Sequence, residues 1–142
     1  MRVLITGSRS WTDYETIKTA FEELGNGHTL VSGNCPQGAD FLCEKAAEEL
    51  GWEIELYPAD WNQHGKKAGF IRNSEMVERG ADVCLGFVHN NSKGASMTVR
   101  LAKKAGIETF EYQRNDLIDS GVLKKIVPLK AVVEPEEDNL LF

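Results

Sequence analysis

No run in this chain approaches the roughly 18 consecutive apolar residues that a membrane-crossing helix requires, so nothing reads as a transmembrane span. No secretory leader is expected either. Met1-Arg2-Val3-Leu4-Ile5-Thr6-Gly7 is basic and apolar over only a few residues, without the longer apolar stretch and small-residue cleavage site of a signal peptide. The cytoplasm is the expected location. Cysteine is scarce: the three present (35, 43 and 84) are odd in number and widely spaced. They match no disulfide framework and no zinc pattern, so they are expected to be buried or incidental thiols, and no metal site is expected. Basic runs are absent as well. The net charge is −6, and Glu134, Glu136, Glu137 and Asp138 account for four negative charges, which leaves −2 on residues 1–133. Such a body lacks the positive footprint of a non-specific duplex binder, so DNA is not an expected partner. Small anions stay open, because a few focused donors are enough to hold them.

What is present suits one globular domain. The 142 residues include 42% hydrophobic residues and 13 glycines, a composition for a packed core with many tight turns. Apolar β-branched runs at 2–6, 29–32, 53–57, 82–88 and 107–112 read as strands. Between them lie helical stripes. Ile17, Ala20, Phe21 and Leu24 mark the first, and Ala39, Leu42, Cys43, Ala46, Ala47 and Leu50 mark the second. Residues 59–66 are expected to form a polar loop, followed by a third helix to about residue 79. A fourth helix is expected over 94–104. Strand–helix alternation with short connections is the pattern of a parallel sheet wound by helices on both faces. The expected fold is therefore α/β, a Rossmann-like three-layer sandwich with a five-stranded, mainly parallel sheet in the order 3-2-1-4-5. The domain is drawn over residues 1–126, with a possible short helix at 117–126 and an acidic tail at 127–142.

In an open parallel sheet, ligands bind beyond the carboxyl ends of the strands, near the point where strand order reverses. Three separated segments fall on that edge by this reading: Gly7-Ser8-Arg9, Gly33 through Gly38-Ala39-Asp40, and Asn90 through Lys93-Gly94-Ala95-Ser96. The last has the small residues of an anion cradle opening a helix, although a plain turn with a Ser or Asn cap has the same composition. It is neither a Walker loop nor a dinucleotide fingerprint. Arg9 offers a donor fork suited to phosphate. Asp40 is either a dipole-favoured carboxylate in a first helical turn or an acceptor for ribose hydroxyls. Arg72 and Asn73 fall within the small and apolar side of the third helix, beside the row Ala68, Arg72, Met76. An inward arginine needs a structural ion pair or a ligand cleft to offset its burial, and the cleft is the expectation. Trp61 is read either as a stacking surface for a base or as core packing, and His64 as a phosphate contact or a plain exposed residue.

Taken in order, Ile5-Thr6-Gly7-Ser8-Arg9, Val31-Ser32-Gly33, Gln37-Gly38-Ala39-Asp40, Ala59-Asp60-Trp61, His64-Gly65-Lys66-Lys67-Ala68-Gly69 and Ile71-Arg72-Asn73-Ser74-Glu75-Met76 resemble the YspA/YpsA-related branch of the SLOG superfamily. The superfamily also holds the LOG-type phosphoribohydrolases and the DprA-type DNA-uptake proteins. The resemblance runs over about residues 2–112. It implies a Rossmann-like fold and a site for nucleotides or their derivatives, in the context of bacterial and phage nucleotide signalling, with a homodimer as a family habit. Arg72 matches the catalytic arginine of LOG enzymes, with Asn73 in place of their lysine. Where those enzymes carry a phosphate loop ending in a catalytic glutamate, this chain keeps Gly94, has Ala95 for threonine, and has Met97 or Thr98 at the glutamate's place.

Three functions are weighed on these residues. The first is binding of a phosphorylated nucleotide or nucleotide-derived signal, with Gly94, Ala95 and Ser96 on the phosphate and Arg9 and Arg72 neutralising it. The second is hydrolysis of an N-glycosidic bond through Arg72, with Asp40, Asp60 or Glu75 standing in for the lost glutamate. The third is an interaction module whose terminal Leu140-Leu141-Phe142 resembles a peptide that docks on the replicative sliding clamp. No separate cofactor is expected in any of them.

Overall fold

The computed structural model describes residues 1–116. The expected helix at 117–126, the acidic tail and the clamp-docking residues Leu140, Leu141 and Phe142 lie outside the described residues. Among those described, the elements run β1 (Arg2–Gly7), α1 (Tyr14–Leu24), β2 (Thr29–Ser32), α2 (Ala39–Glu49), β3 (Glu53–Leu56), α3 (Trp61–His64), α4 (Ala68–Arg79), β4 (Val83–His89), α5 (Lys93–Lys104) and β5 (Glu108–Arg114). A single 3-10 turn at Gly65–Lys67 joins α3 to α4. The five strands form one sheet in the order β3-β2-β1-β4-β5, and every pairing is parallel.

Alternation along the strands divides the core in two. Val3 and Ile5 of β1 and Val83, Leu85 and Phe87 of β4 join Ile17 and Phe21 of α1 and Ala39, Cys43 and Ala46 of α2 on one face. Leu4 and Cys84 point the other way, toward Met76 and Val77 of α4 and Ala102 of α5. This makes three layers, with β4 buried on both sides along nearly its whole length, as its uninterrupted apolar sequence predicts. The side chain of Phe21 stacks on Trp52 at a centroid distance of 4.7 Å. Burial of such a ring is worth roughly 1.5–3 kcal/mol.

The segment 59–66 departs from the expected loop. The Asp60 carboxylate accepts the Gln63 amide at 3.1 Å and caps the short α3. Gly65, at φ 59°, then turns the chain into α4. An acidic cap and a left-handed glycine bracket the four residues of one helical turn, too short for apolar periodicity to register.

Candidate functional site

The loop after β1 is clamped from two sides, and this clamp brings the site together. The Ser8 amide donates to the Phe87 carbonyl of β4 at 2.9 Å. The Ser8 carbonyl accepts from Trp11 and from Ala39, the first residue of α2, both at 3.1 Å. Gly38, at φ 76°, lets α2 start directly against the backbone of Arg9, where a Cβ would collide with main-chain atoms. Gly7 is equally constrained, since a Cβ there would strike Ala39 and the Phe87 carbonyl. Trp11, buried and donating its indole N–H to the Asp13 carbonyl at 2.9 Å, anchors the far end of the loop. Arg9 is thereby carried exposed at the rim.

Ser8 also joins this loop to the one after β4. Its Oγ accepts the His89 amide at 2.8 Å and shares a short hydrogen bond with Ser92 Oγ. Ser92 is the N-cap residue of α5, yet its side chain makes no capping bond, because the hydroxyl is committed to Ser8. The first-turn amides of α5, at Lys93, Gly94 and Ala95, thus lack a side-chain cap. Helix amides without intrahelical partners carry partial positive charge and suit an anion. A Cβ on Gly94 would find nothing within 4 Å, so the space in front of that turn is open.

Arg72 of α4 reaches across to the ends of β2 and β3. Its Nη1 donates to the Gly33 carbonyl, and to the Tyr57 carbonyl at 3.3 Å, while Nε donates to Asn73 Oδ1 at 2.6 Å. Burial pushes its pKa below the ordinary arginine value, partly offset by the facing Asp40. The Asp40 carboxylate, nearly buried in the first turn of α2, accepts the Cys35 amide at 3.0 Å. Burial raises its pKa above the ordinary 3.8, against the lowering pull of that amide, Arg72 and Arg9.

These groups line two neighbouring cavities at the carboxyl edge of the sheet. The larger, about 520 Å³, is bounded by Gly7, Ser8 and Arg9 from β1, by Asp40, by Arg72 and Asn73, and by Lys93, Gly94 and Ala95. The second, about 400 Å³, lies between Gly33, Pro36, Pro58 and Trp61 and shares Arg9, Cys35 and Arg72 with the first. Trp61 is half exposed, and the Arg9 guanidinium sits 5.7 Å from its ring centroid, within cation–π range. Both volumes fall in the range of small-molecule sites, roughly 300–1,000 Å³.

Of the residues singled out from sequence, Gly7, Ser8, Arg9, Asp40, Arg72, Asn73, Lys93, Gly94 and Ala95 border the first cavity, and Gly33 and Trp61 the second. Ser96 borders neither, and its amide is used inside the helix, donating to the Ser92 carbonyl at 3.1 Å. Sequence reasoning passed over Cys35, Phe70, Met76 and Met97, which supply much of the lining. Met76 carried a signal, since it shares a helical row with Arg72. Met97 carried one as well, standing with Thr98 at the place of the LOG glutamate, whereas Cys35 and Phe70 carried none. Arg9, Arg72 and Lys93 against Asp40 leave the cavity positive in a chain of net charge −6, which concentrates small anions locally.

The family model described as the YspA, cpYpsA-related SLOG family matches residues 1–64. The Gene 61 protein of Mycobacterium phage D29 is 44% identical over 120 residues, covering 78% of this chain and 95% of the phage protein. No solved structure gives a significant match.

Proposed function

Because the chain belongs to the YspA, cpYpsA-related SLOG family, we propose that it binds a phosphorylated nucleotide or nucleotide-derived small molecule at the carboxyl edge of its sheet. One observation carries this reading: Arg9, Arg72 and Gly94, on three separate crossovers, border a single open cavity of about 520 Å³. The phosphate lies on the uncapped amides of Gly94 and Ala95, with Lys93 at the mouth. Arg9 and Arg72 balance its charge, and Trp61 offers a face to the base. Asp40 accepts from ribose hydroxyls.

Thermal shift and calorimetry with nucleoside mono- and diphosphates, cyclic nucleotides and ADP-ribose derivatives test it. A ligand at 100 times its Kd raises stability by about 2.7 kcal/mol. A ligand-free protein indifferent to the whole panel ends the proposal.

A second reading is supported by Asp40, whose nearly buried, pKa-raised carboxyl borders the same cavity as Arg72. A carboxyl so tuned can stabilise oxocarbenium character or activate water in N-glycosidic cleavage, the task of the glutamate absent at 97–98. Release of free base from nucleoside monophosphates, lost in Arg72→Ala, is its test.

A homodimer and a cytoplasmic role in phage or bacterial nucleotide signalling belong to the proposal, as does a clamp-docking tail. Light scattering reads the first. A pull-down with and without residues 134–142 reads the last.

A further inference from the structure

Ser10, His89 and Asp116 form a chain of hydrogen bonds that nucleotide binding does not use. Ser10 follows β1 and His89 ends β4, so the two meet where neighbouring strands leave the sheet. Ser10 Oγ lies 2.6 Å from His89 Nδ1, and His89 Nε2 lies 2.9 Å from Asp116 Oδ1. Asp116 is held in turn by Asn90, whose Nδ2 donates to Oδ2 at 3.2 Å and whose Oδ1 accepts the Asp116 amide at 3.0 Å. Asn90 takes a left-handed conformation, φ 52°.

The protonation pattern follows from the partners. His89 and Asn90 hold the Asp116 carboxyl below its ordinary value, so it is ionised and accepts only. Nε2 must then be the N–H. In the neutral ring Nδ1 is left as an acceptor, and the Ser10 hydroxyl donates to it. A hydroxyl donating to an imidazole that a carboxylate orients is the arrangement that activates a serine nucleophile. Ser10 also borders the larger cavity, together with the uncapped α5 amides at Gly94 and Ala95 and the apolar side chains of Ile5, Met76 and Met97.

We infer that Ser10 is a nucleophile for small carboxylic esters, with His89 as its general base and Asp116 positioning the ring. The Ser10 oxygen attacks the carbonyl carbon as its proton passes to His89 Nδ1. The tetrahedral oxyanion faces the α5 amides, where preorganised donors are most effective. Its collapse expels the alcohol, which leaves with the proton from Nδ1, and the acyl group stays on Ser10. Water then attacks the acyl ester and gives a proton to Nδ1. Release of the carboxylic acid returns that proton to Ser10. The apolar lining receives the acyl chain. This activity does not rest on nucleotide binding, and the protein can possess either property without the other.

Incubation of the full chain with a fluorophosphonate probe, and separately with p-nitrophenyl acetate, tests the inference. The expected result is covalent probe on the peptide containing Ser10, located by mass spectrometry, and p-nitrophenol release above the uncatalysed rate. Ser10→Ala abolishes both. His89→Ala slows both by about 100-fold or more. Asp116→Asn lowers kcat with KM unchanged, a split that a merely structural role does not produce. Ser10 and Asp116 are exposed, so these two variants keep the wild-type melting curve and remain informative if His89→Ala unfolds. A folded wild-type protein that leaves Ser10 unlabelled overturns the inference. So does labelling or turnover that Ser10→Ala or Asp116→Asn leaves untouched.

Discussion

Arg72 donates through Nη1 to the Gly33 carbonyl, 39 residues away in sequence, and this bond ties α4 to the loop that follows β2. The same nitrogen reaches the end of β3 at the Tyr57 carbonyl, so one side chain holds two strand ends and a cavity wall. Arg72→Ala is expected to destabilise the protein by about 1.5–3 kcal/mol, the range for hydrogen bonds to a charged group. It should also weaken anion binding by about tenfold or more, which corresponds to about 1.4 kcal/mol. Denaturant midpoints and calorimetry with the same variant separate the two losses. Arg72→Lys should recover little, because a point ammonium cannot serve Gly33, Tyr57 and Asn73 together.

Gly94 offers the opposite test, in which binding changes while the fold does not. No atom lies within 4 Å of a Cβ placed there, and the backbone is already helical. Gly94→Ala is therefore expected to stabilise α5 by up to about 1 kcal/mol through reduced backbone freedom. Gly94→Leu should leave the melting temperature at or above wild type while its side chain fills the mouth of the cavity. Loss of nucleotide binding in a fully folded Gly94→Leu protein is the expected outcome, read by thermal shift with and without ligand.

Gly38 is needed for the scaffold under the site. Its φ of 76° disfavours any side chain, and a Cβ would run into the main chain of Arg9. Gly38→Ala should cost about 1–3 kcal/mol from strain alone, with displacement of the Arg9 loop adding to it. Urea unfolding gives the first quantity. A weaker response to ligand in the surviving folded fraction gives the second.

Acid stability should reveal the bond between Arg2 and Glu55. Arg2 Nη1 and Nη2 grip the two carboxylate oxygens at 2.7 and 3.0 Å, and Tyr57 donates to one of them. Arg2, with help from Tyr57, holds the Glu55 carboxyl down to about 2 from an ordinary 4.5. A depressed carboxyl stabilises the fold fully above its unfolded value, and the contribution drains away as pH falls from about 4.5 to about 2. The pair is partly exposed, so solvent screening limits the effect to about 1 kcal/mol. Glu55→Gln should lose that amount at pH 7, and its unfolding midpoint should converge on wild type through this acid window.

Asp40 should behave in the reverse sense. Burial raises its folded-state pKa above 3.8, so its charge opposes folding at neutral pH, and the opposition fades as pH falls through the raised value toward 3.8. Asp40→Asn keeps an acceptor for the Cys35 amide and removes the buried charge. Its melting temperature at pH 7 is expected to exceed wild type, with the difference shrinking in acid. Should the second functional reading hold, the same variant is stable and inactive.

The amino-acid sequence by itself determined the layers and their order. Strand and helix periodicities lie in short windows, each glycine stop is local, and parallel strands joined by right-handed crossovers admit few arrangements. It also marked Arg72, whose charge amid small and apolar neighbours demanded a partner. The short α3 escaped notice because one capped turn has no period to detect. What only the tertiary structure decided are relationships between residues far apart in the chain. Ser92 leaves α5 uncapped because Ser8 takes its hydroxyl, Arg72 bonds to Gly33 and Tyr57, and Ser10 finds His89 and Asp116. No local window contains these pairs. They exist because parallel pairing sets β3, β2, β1, β4 and β5 side by side in that order, which brings the segments that follow those strands within hydrogen-bonding distance.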